Sequence, residues 1–339
     1  DAAAKERHIA KEQARIAAIT SAWDKHVEDN PHVLDARSPS GRRVSVDDLS
    51  KYKKSRSSWC RAFSVLTRRS FVNTIRDPVT TRARLGQAVF LGLICGLIYL
   101  QLGNSQVDVQ NKNGAIFFLL INQCMSALFG VLQVFPLERP IFMREHESGL
   151  YGTSAYFMSK SVSDLPSQLI PNFIFVTIAW WMVDLRDDAG SYLLFLCIVM
   201  MAANAATSLG YMISTATPNV SVALAVGPPI ILPFMLFAGF FVNTESIPVY
   251  FVWLEVLSFF KYGFSTGAVA VWEGLDLVCD TASDVPCTVS SGDQVLKMLS
   301  LDADDKVRDF TALALMIIGF RFLAYLLLRW RADGKRQNE

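Results

Sequence analysis

Apolar residues in this chain gather into long runs instead of alternating with polar ones. Leu85–Leu102, Ala115–Phe135, Leu165–Leu185, Tyr192–Ser214, Val220–Val242 and Phe310–Leu328 are all mostly apolar and close to the helix length that crosses a bilayer core of ~30 Å. A seventh stretch, Ile247–Val271, is broken by Pro248, Glu255, Lys261, Gly263 and Gly267. It reads as re-entrant or interfacial helices, because charged or irregular backbone is tolerated at depth only where protein covers it. Before the first run, Trp59, Phe63, Leu66, Phe71, Val72 and Ile75 alternate with Arg61, Arg68, Arg69 and Arg76. That pattern predicts a basic amphipathic helix lying in the membrane interface, or else a surface helix on a soluble domain. Residues 1–30 carry a helical Ala/Lys/Glu/Arg pattern, and 31–57 are rich in Ser, Pro, Arg and Asp, as linkers are.

Charge placement orients these runs. Arg61, Arg68, Arg69, Arg76, Arg82 and Arg84 precede the first, and Arg329, Arg331, Lys335 and Arg336 follow the last. The excess of Lys and Arg on cytoplasmic flanks places both termini in the cytoplasm, so the number of spans is even. The expected fold is therefore an all-α membrane protein: a six-transmembrane-helix bundle with an amphipathic connecting helix and re-entrant extracellular helices. Residues 1–57 form a cytoplasmic linker, 58–84 the connecting helix, 85–331 the membrane domain with an extracellular region at about 243–309, and 332–339 the tail. Loop Glu138–Lys160 is then cytoplasmic. Cys279 and Cys287 face an oxidising space and are expected to pair as a disulfide, the alternative being two free thiols. Asn219-Val-Ser221 fits the glycosylation pattern but lies on the cytoplasmic side and is expected to stay unmodified.

Composition narrows the function. Of 339 residues 52% are hydrophobic and 19% charged, and the net charge is +1, so no basic field exists for nucleic acid. No phosphate-binding loop, zinc-protease helix or nucleophile elbow occurs, and three of the four histidines, His8, His26 and His32, lie in the polar N-terminal part. The chain is expected to hold no catalytic site, metal or cofactor of its own. Phe118, Asn122, Met125 and Phe129 fall on one helical face. They form either a site for a flat apolar ligand or ordinary packing with Asn122 as polar glue. Pro228, Pro229 and Pro233 kink the fifth run. Phe240 and Phe241 at its outer end form either a plug or an interfacial belt. Arg321 either snorkels to the interface or pairs with an acidic residue on another helix. Arg144–Tyr151 is either a docking surface or a solvated loop.

The ordered set Gly114–Phe118, Asn122–Cys124, Arg144–His146, Ser148–Tyr151, Ser154–Tyr156, Ser163–Pro166, Gly239–Asn243, Lys261–Phe264 and Arg321–Tyr325 resembles the transmembrane domain of the G subfamily of ATP-binding cassette transporters, over about residues 58–331. The resemblance implies the permease half of an ABC-2 type exporter of the white or breast-cancer-resistance-protein kind. An ATPase domain, absent from this sequence, would supply ATP and Mg, and two halves would dimerise around a cavity. By motif position it implies Phe118, Asn122, Met125, Leu232 and Met235 as cavity residues, although Met125 takes the place of a Phe. It implies Phe240 and Phe241 as an outer valve, where the family has a leucine pair, and Arg144, Glu145, His146 and Gly149 as the coupling to the ATPase. Cys279 matches the first cysteine of the family's loop disulfide.

The function expected is alternating-access export of hydrophobic or amphipathic compounds from the cytoplasmic leaflet. The partners expected are a second half-transporter (identical or different), the ATPase domain, membrane lipids and a small hydrophobic substrate, at the plasma membrane. The competing reading is a non-transporting scaffold or receptor that uses the outer loop. An ion-coupled carrier ranks last, because few ionisable residues lie at mid-membrane.

Overall fold

A computed structural model describes residues 18, 20–23, 25, 29, 58–242, 247–277 and 289–337. The predicted Cys279–Cys287 pairing and most of the 1–57 linker lie outside them. The chain divides into two units, 1–56 and 57–339. In the first, the described residues are helical.

The second unit is a helix bundle, and among its described residues the only β feature is an isolated bridge between Asp276 and Ser291. The amphipathic helix forms as expected: α1 spans Trp59–Arg76, buries Ala62 and Leu66, and leaves Val65 and Ile75 exposed. It stops at Asp77 because Pro78 disfavours helical backbone in the residue before it. Next come α2 (Pro78–Ile98), α3 (Gln106–Glu147), α4 (Thr153–Ser163), α5 (Leu165–Val183), α6 (Ala189–Ala216) and α7 (Val220–Leu236). Among the described residues, four helices are long and apolar enough to cross a membrane on those grounds alone: α2, α3, α6 and the last helix, α11 (Lys306–Gln337). The other two predicted spans form helices at the predicted places. However, α5 has Pro166, Ser167, Gln168, Pro171 and Asn172 in its first turns, and α7 has 17 residues including three prolines.

One boundary differs from expectation. The second apolar run and the polar loop after it are a single helix of 42 residues, α3, which passes through Pro136 and Pro140 without ending. Its length is about 63 Å at 1.5 Å per residue, twice a bilayer core. The polar continuation stays helical because Phe142, Met143 and His146 are buried there, and Glu138 and Arg139 find partners on other elements. At its start, Asp108 accepts hydrogen bonds from the Ser105 backbone and hydroxyl, closing a capping box.

Small residues set the close approaches. A Cβ on Gly210 of α6 would lie 3.2 Å from the Leu128 carbonyl of α3, and one on Gly96 of α2 would lie 2.6 Å from Met182 of α5. Gly96→Val is expected to cost about 1–3 kcal/mol by overpacking. A thermal midpoint of the purified full-length protein equal to wild type would refute that contact.

The broken apolar stretch is a short 3-10 turn (Val249–Phe251), then α8 (Val252–Val256), then α9 (Phe259–Trp272), in which every residue but Lys261 is buried. This helix sits inside the bundle, with Gly263 against Leu120 and Ala202. Its ends are tied down. The Ser258 hydroxyl donates to the Phe234 carbonyl at 2.6 Å, the Trp272 indole donates to Asn113 at 2.7 Å, and Arg186 donates to the Glu273 carbonyl at 2.6 Å. A short α10 (Gly292–Met298) precedes α11. Arg321 of α11 follows neither sequence expectation. It donates to Ser208 at 3.1 Å and to Asn204 at 2.5 Å, neutral groups on α6 that satisfy the guanidinium where it stands.

Candidate functional site

The residues that join α1 to the far end of α3 form a clasp. Arg69 of α1 meets Glu145 with two parallel hydrogen bonds of 2.8 and 3.0 Å, the fork-on-carboxylate geometry that fixes orientation as well as distance. The Tyr151 phenol donates to the same carboxylate. Burial first, then Glu145, pushes the Tyr151 phenol up, so it stays a proton donor. Trp59 at the other end of α1 donates to Ser154 of α4 at 3.2 Å. Behind the clasp, Phe142 stacks on Tyr156 at 4.3 Å and on His146 at 5.6 Å. The turn from α3 to α4 depends on Gly149, whose φ of +75° is open to glycine at no steric cost.

The predicted coupling residues thus divide. Arg144 points outward, together with Glu147 and Leu150. Glu145 and His146 turn inward and hold the corner, His146 Nδ1 lying 3.2 Å from the Tyr151 carbonyl oxygen.

Deeper in, Lys160 of α4 bridges Glu138 of α3 at 2.7 Å and Asp164 at 3.0 Å, and the Tyr211 hydroxyl of α6 donates to Asp164 at 2.6 Å. Burial works against the Lys160 charge, but Asp164 and Glu138 outweigh it and raise its pKa. Three helices and the α4–α5 junction are pinned by this one cluster.

Above the cluster lies a cavity of about 530 Å³ between α1, α2, α3 and α5. Asn122, Gln123 and Ser126 of α3 border it, as do Asn172 and Phe175 of α5. Of the predicted cavity residues, only Asn122 lines it. Phe118 is 44% exposed and Leu232 46%, both on the outside of this single chain, while Met125 and Met235 are half-buried against the core. Phe118, Leu232, Val226 and Leu236 leave an apolar flank on α3 and α7 without cover.

At the far end of the bundle, Phe240 and Phe241 contact Phe117, the neighbour of the predicted residue. Phe240 stacks on it at 4.5 Å, Phe241 meets it edge-on at 5.1 Å, and Phe264 closes the group. Phe117 is buried, and only its adjacency to Phe118 marks it in the sequence. Among the described residues no group of His, Cys, Asp and Glu could hold a metal. Cys95 and Cys124 are buried free thiols.

Among the described residues, a helical bundle with four helices long and apolar enough to cross a membrane reads as a multi-pass membrane domain. The family model for the ABC-2 type transporter matches residues 61–271. Protein white of Ceratitis capitata is 40% identical over 283 residues, covering 83% of this chain and 41% of that protein. ABC transporter G family member 1 of Dictyostelium discoideum is 33% identical over 318 residues, covering 89% and 40%. The broad substrate specificity ATP-binding cassette transporter ABCG2 of Sus scrofa is 30% identical over 295 residues, covering 85% and 45%. The chain belongs to the ABC-2 type transporter family, as a membrane domain of the G subfamily of ABC transporters. It spans less than half the length of these curated relatives.

Proposed function

We propose that this domain is the membrane half of an ATP-driven exporter that moves hydrophobic or amphipathic compounds out of the cytoplasmic leaflet by alternating access. The observation that carries the reading is the continuity of α3. One unbroken helix bears Asn122 on the cavity and Glu145 in the clasp. A push at the Arg144–Tyr151 corner therefore reaches the cavity without crossing a loop. ATP and Mg act in an ATPase domain outside this sequence, and catalysis is assigned there.

In this reading both termini face the cytoplasm of a plasma-membrane protein. The uncovered flank at Phe118 and Leu232 takes a second half-transporter, identical or different, and the substrate passes between the two along Phe118, Asn122, Met125 and Met235. Phe240 and Phe241, packed on Phe117, form the outer valve. Arg144 and Leu150 meet the ATPase.

The full-length protein, reconstituted in vesicles, is expected to show substrate-stimulated ATP hydrolysis. Phe118→Ala with Asn122→Ala is expected to reduce it about tenfold or more, the effect of removing two ligand contacts of 1–2 kcal/mol. Full transport by the double variant would reject the cavity assignment. Hydrolysis indifferent to every hydrophobic compound would favour a scaffold.

A further inference from the structure

We propose that the 530 Å³ cavity binds the phosphate head of an acidic phospholipid from the cytoplasmic leaflet, with Arg84 as its principal partner and Arg82 beside it. The orientation, though not the binding, rests on the exporter reading. The cavity falls within the ~300–1,000 Å³ range of ligand sites. Its walls combine apolar side chains, Phe71, Ile75, Leu91 and Ile170, with two guanidinium groups.

Arg84 leans across from α2 to α3, where its Nη2 lies 3.4 Å from the place a Cβ on Gly130 would occupy. Among the described residues neither Arg84 nor Arg82 forms an ion pair or a hydrogen bond. The acids that line the same cavity are already engaged: Glu138 and Asp164 both hold Lys160, Asp164 also accepts from Tyr211, and Asp77 at the α1–α2 junction has an interaction of its own.

Arginines in the first turns of a spanning helix reach the headgroup layer by snorkelling, and the partners that layer offers them are lipid anions. Guanidinium forks match phosphate and carboxylate alike in shape and charge, so two of them can take the phosphate and the serine carboxylate of phosphatidylserine, whereas phosphatidylcholine offers the phosphate alone. The cavity also opens where lipid can reach it. It is bordered by α1, whose Val65, Val72 and Ile75 are exposed, and by α2, whose Val89, Phe90 and Leu93 are exposed. Basic residues beside a span on the cytoplasmic side attract the acidic lipids of that leaflet. A headgroup at Arg84 with its chains along α2 satisfies both the charge and the exposed apolar face.

The test uses the full-length protein in bilayer discs of equimolar phosphatidylcholine and phosphatidylserine, with the lipid that survives delipidation counted by mass spectrometry. Neither ATP nor export enters the measurement, so failure of the exporter reading leaves it intact. Wild type is expected to retain phosphatidylserine selectively. Arg84→Gln is expected to lower the serine-to-choline lipid ratio about tenfold, as for loss of one charge-assisted contact. Arg68→Gln, which removes an exposed arginine of α1 away from the cavity, is expected to leave the ratio unchanged. If Arg84→Gln does not fold, Arg84→Lys is read instead, with a loss of about threefold for a point charge in place of the fork. An unchanged ratio in the Arg84 variant overturns the proposal. So does an equal loss in Arg68→Gln, which would mean surface charge alone. Displacement of the lipid by millimolar inorganic phosphate would also overturn it.

Discussion

Arg139→Leu is expected to lower the stability of the full-length protein by about 1–3 kcal/mol, read as a drop in thermal midpoint. Arg139 is buried and donates to three backbone carbonyls at the end of α6: Ser214 at 3.1 Å, Thr217 at 2.5 Å and Pro218 at 2.5 Å. The last carbonyls of a helix have no partner within it, and the partial negative charge gathered there favours a cation. Arg331 of α11 supplies a second guanidinium, donating to Thr215 and Thr217. Removing Arg139 therefore leaves the buried Ser214 carbonyl with only a 3.5 Å bond from the Thr217 hydroxyl and turns the carbonyl of exposed Pro218 over to water, a loss of ~1–3 kcal/mol in charge-assisted contacts, while relieving repulsion between two like charges. Lysine at 139 keeps the charge but not the fan of donors and is expected to recover only part of the loss. A midpoint within ~0.5 kcal/mol of wild type in Arg139→Leu would show that water caps this helix equally well.

The second large effect is functional. Arg69→Glu places two carboxylates face to face across the clasp, and export by the full-length protein is expected to fall about tenfold or more. Its thermal stability is expected to change by less than ~1 kcal/mol, because Arg69 is 52% exposed and surface ion pairs contribute little to folding. The effect is thus one of registration between α1 and α3. Arg69→Glu combined with Glu145→Arg restores the pair with reversed sign and is expected to return most of the activity. Wild-type export by Arg69→Glu alone would remove the clasp from the mechanism.

The helices were legible in the sequence because twenty apolar residues in a row have few alternatives. The amphipathic α1 was legible from its alternation of Arg with aromatic and aliphatic side chains. The true end of α3 was hidden. Glu138, Arg139 and Glu145 read locally as loop residues, and the groups that keep them in a helix, Lys160, the α6 carbonyls and Arg69, come from elsewhere in the chain. Spacing placed Phe118 and Asn122 on one face, and the structure separates them in kind: Asn122 borders the cavity, whereas Phe118 faces out. The cavity itself has no sequence signature, since its lining comes from α1, α2, α3 and α5, segments distant in the chain. Arg321 could not be resolved by composition because its partners are an amide and a hydroxyl, which carry no charge to search for.

The unbroken α3 has a mechanical corollary. A rod of 42 residues gripped near its middle, where Gly210 lets α6 press on Leu128, would pivot there if it moved as one body. A rotation of about 5° about that fulcrum would displace each tip, ~30 Å away, by about 3 Å in opposite senses. Such a seesaw would open one mouth of the bundle as it narrows the other, with Pro136 and Pro140 as the places along its length where the rod could give.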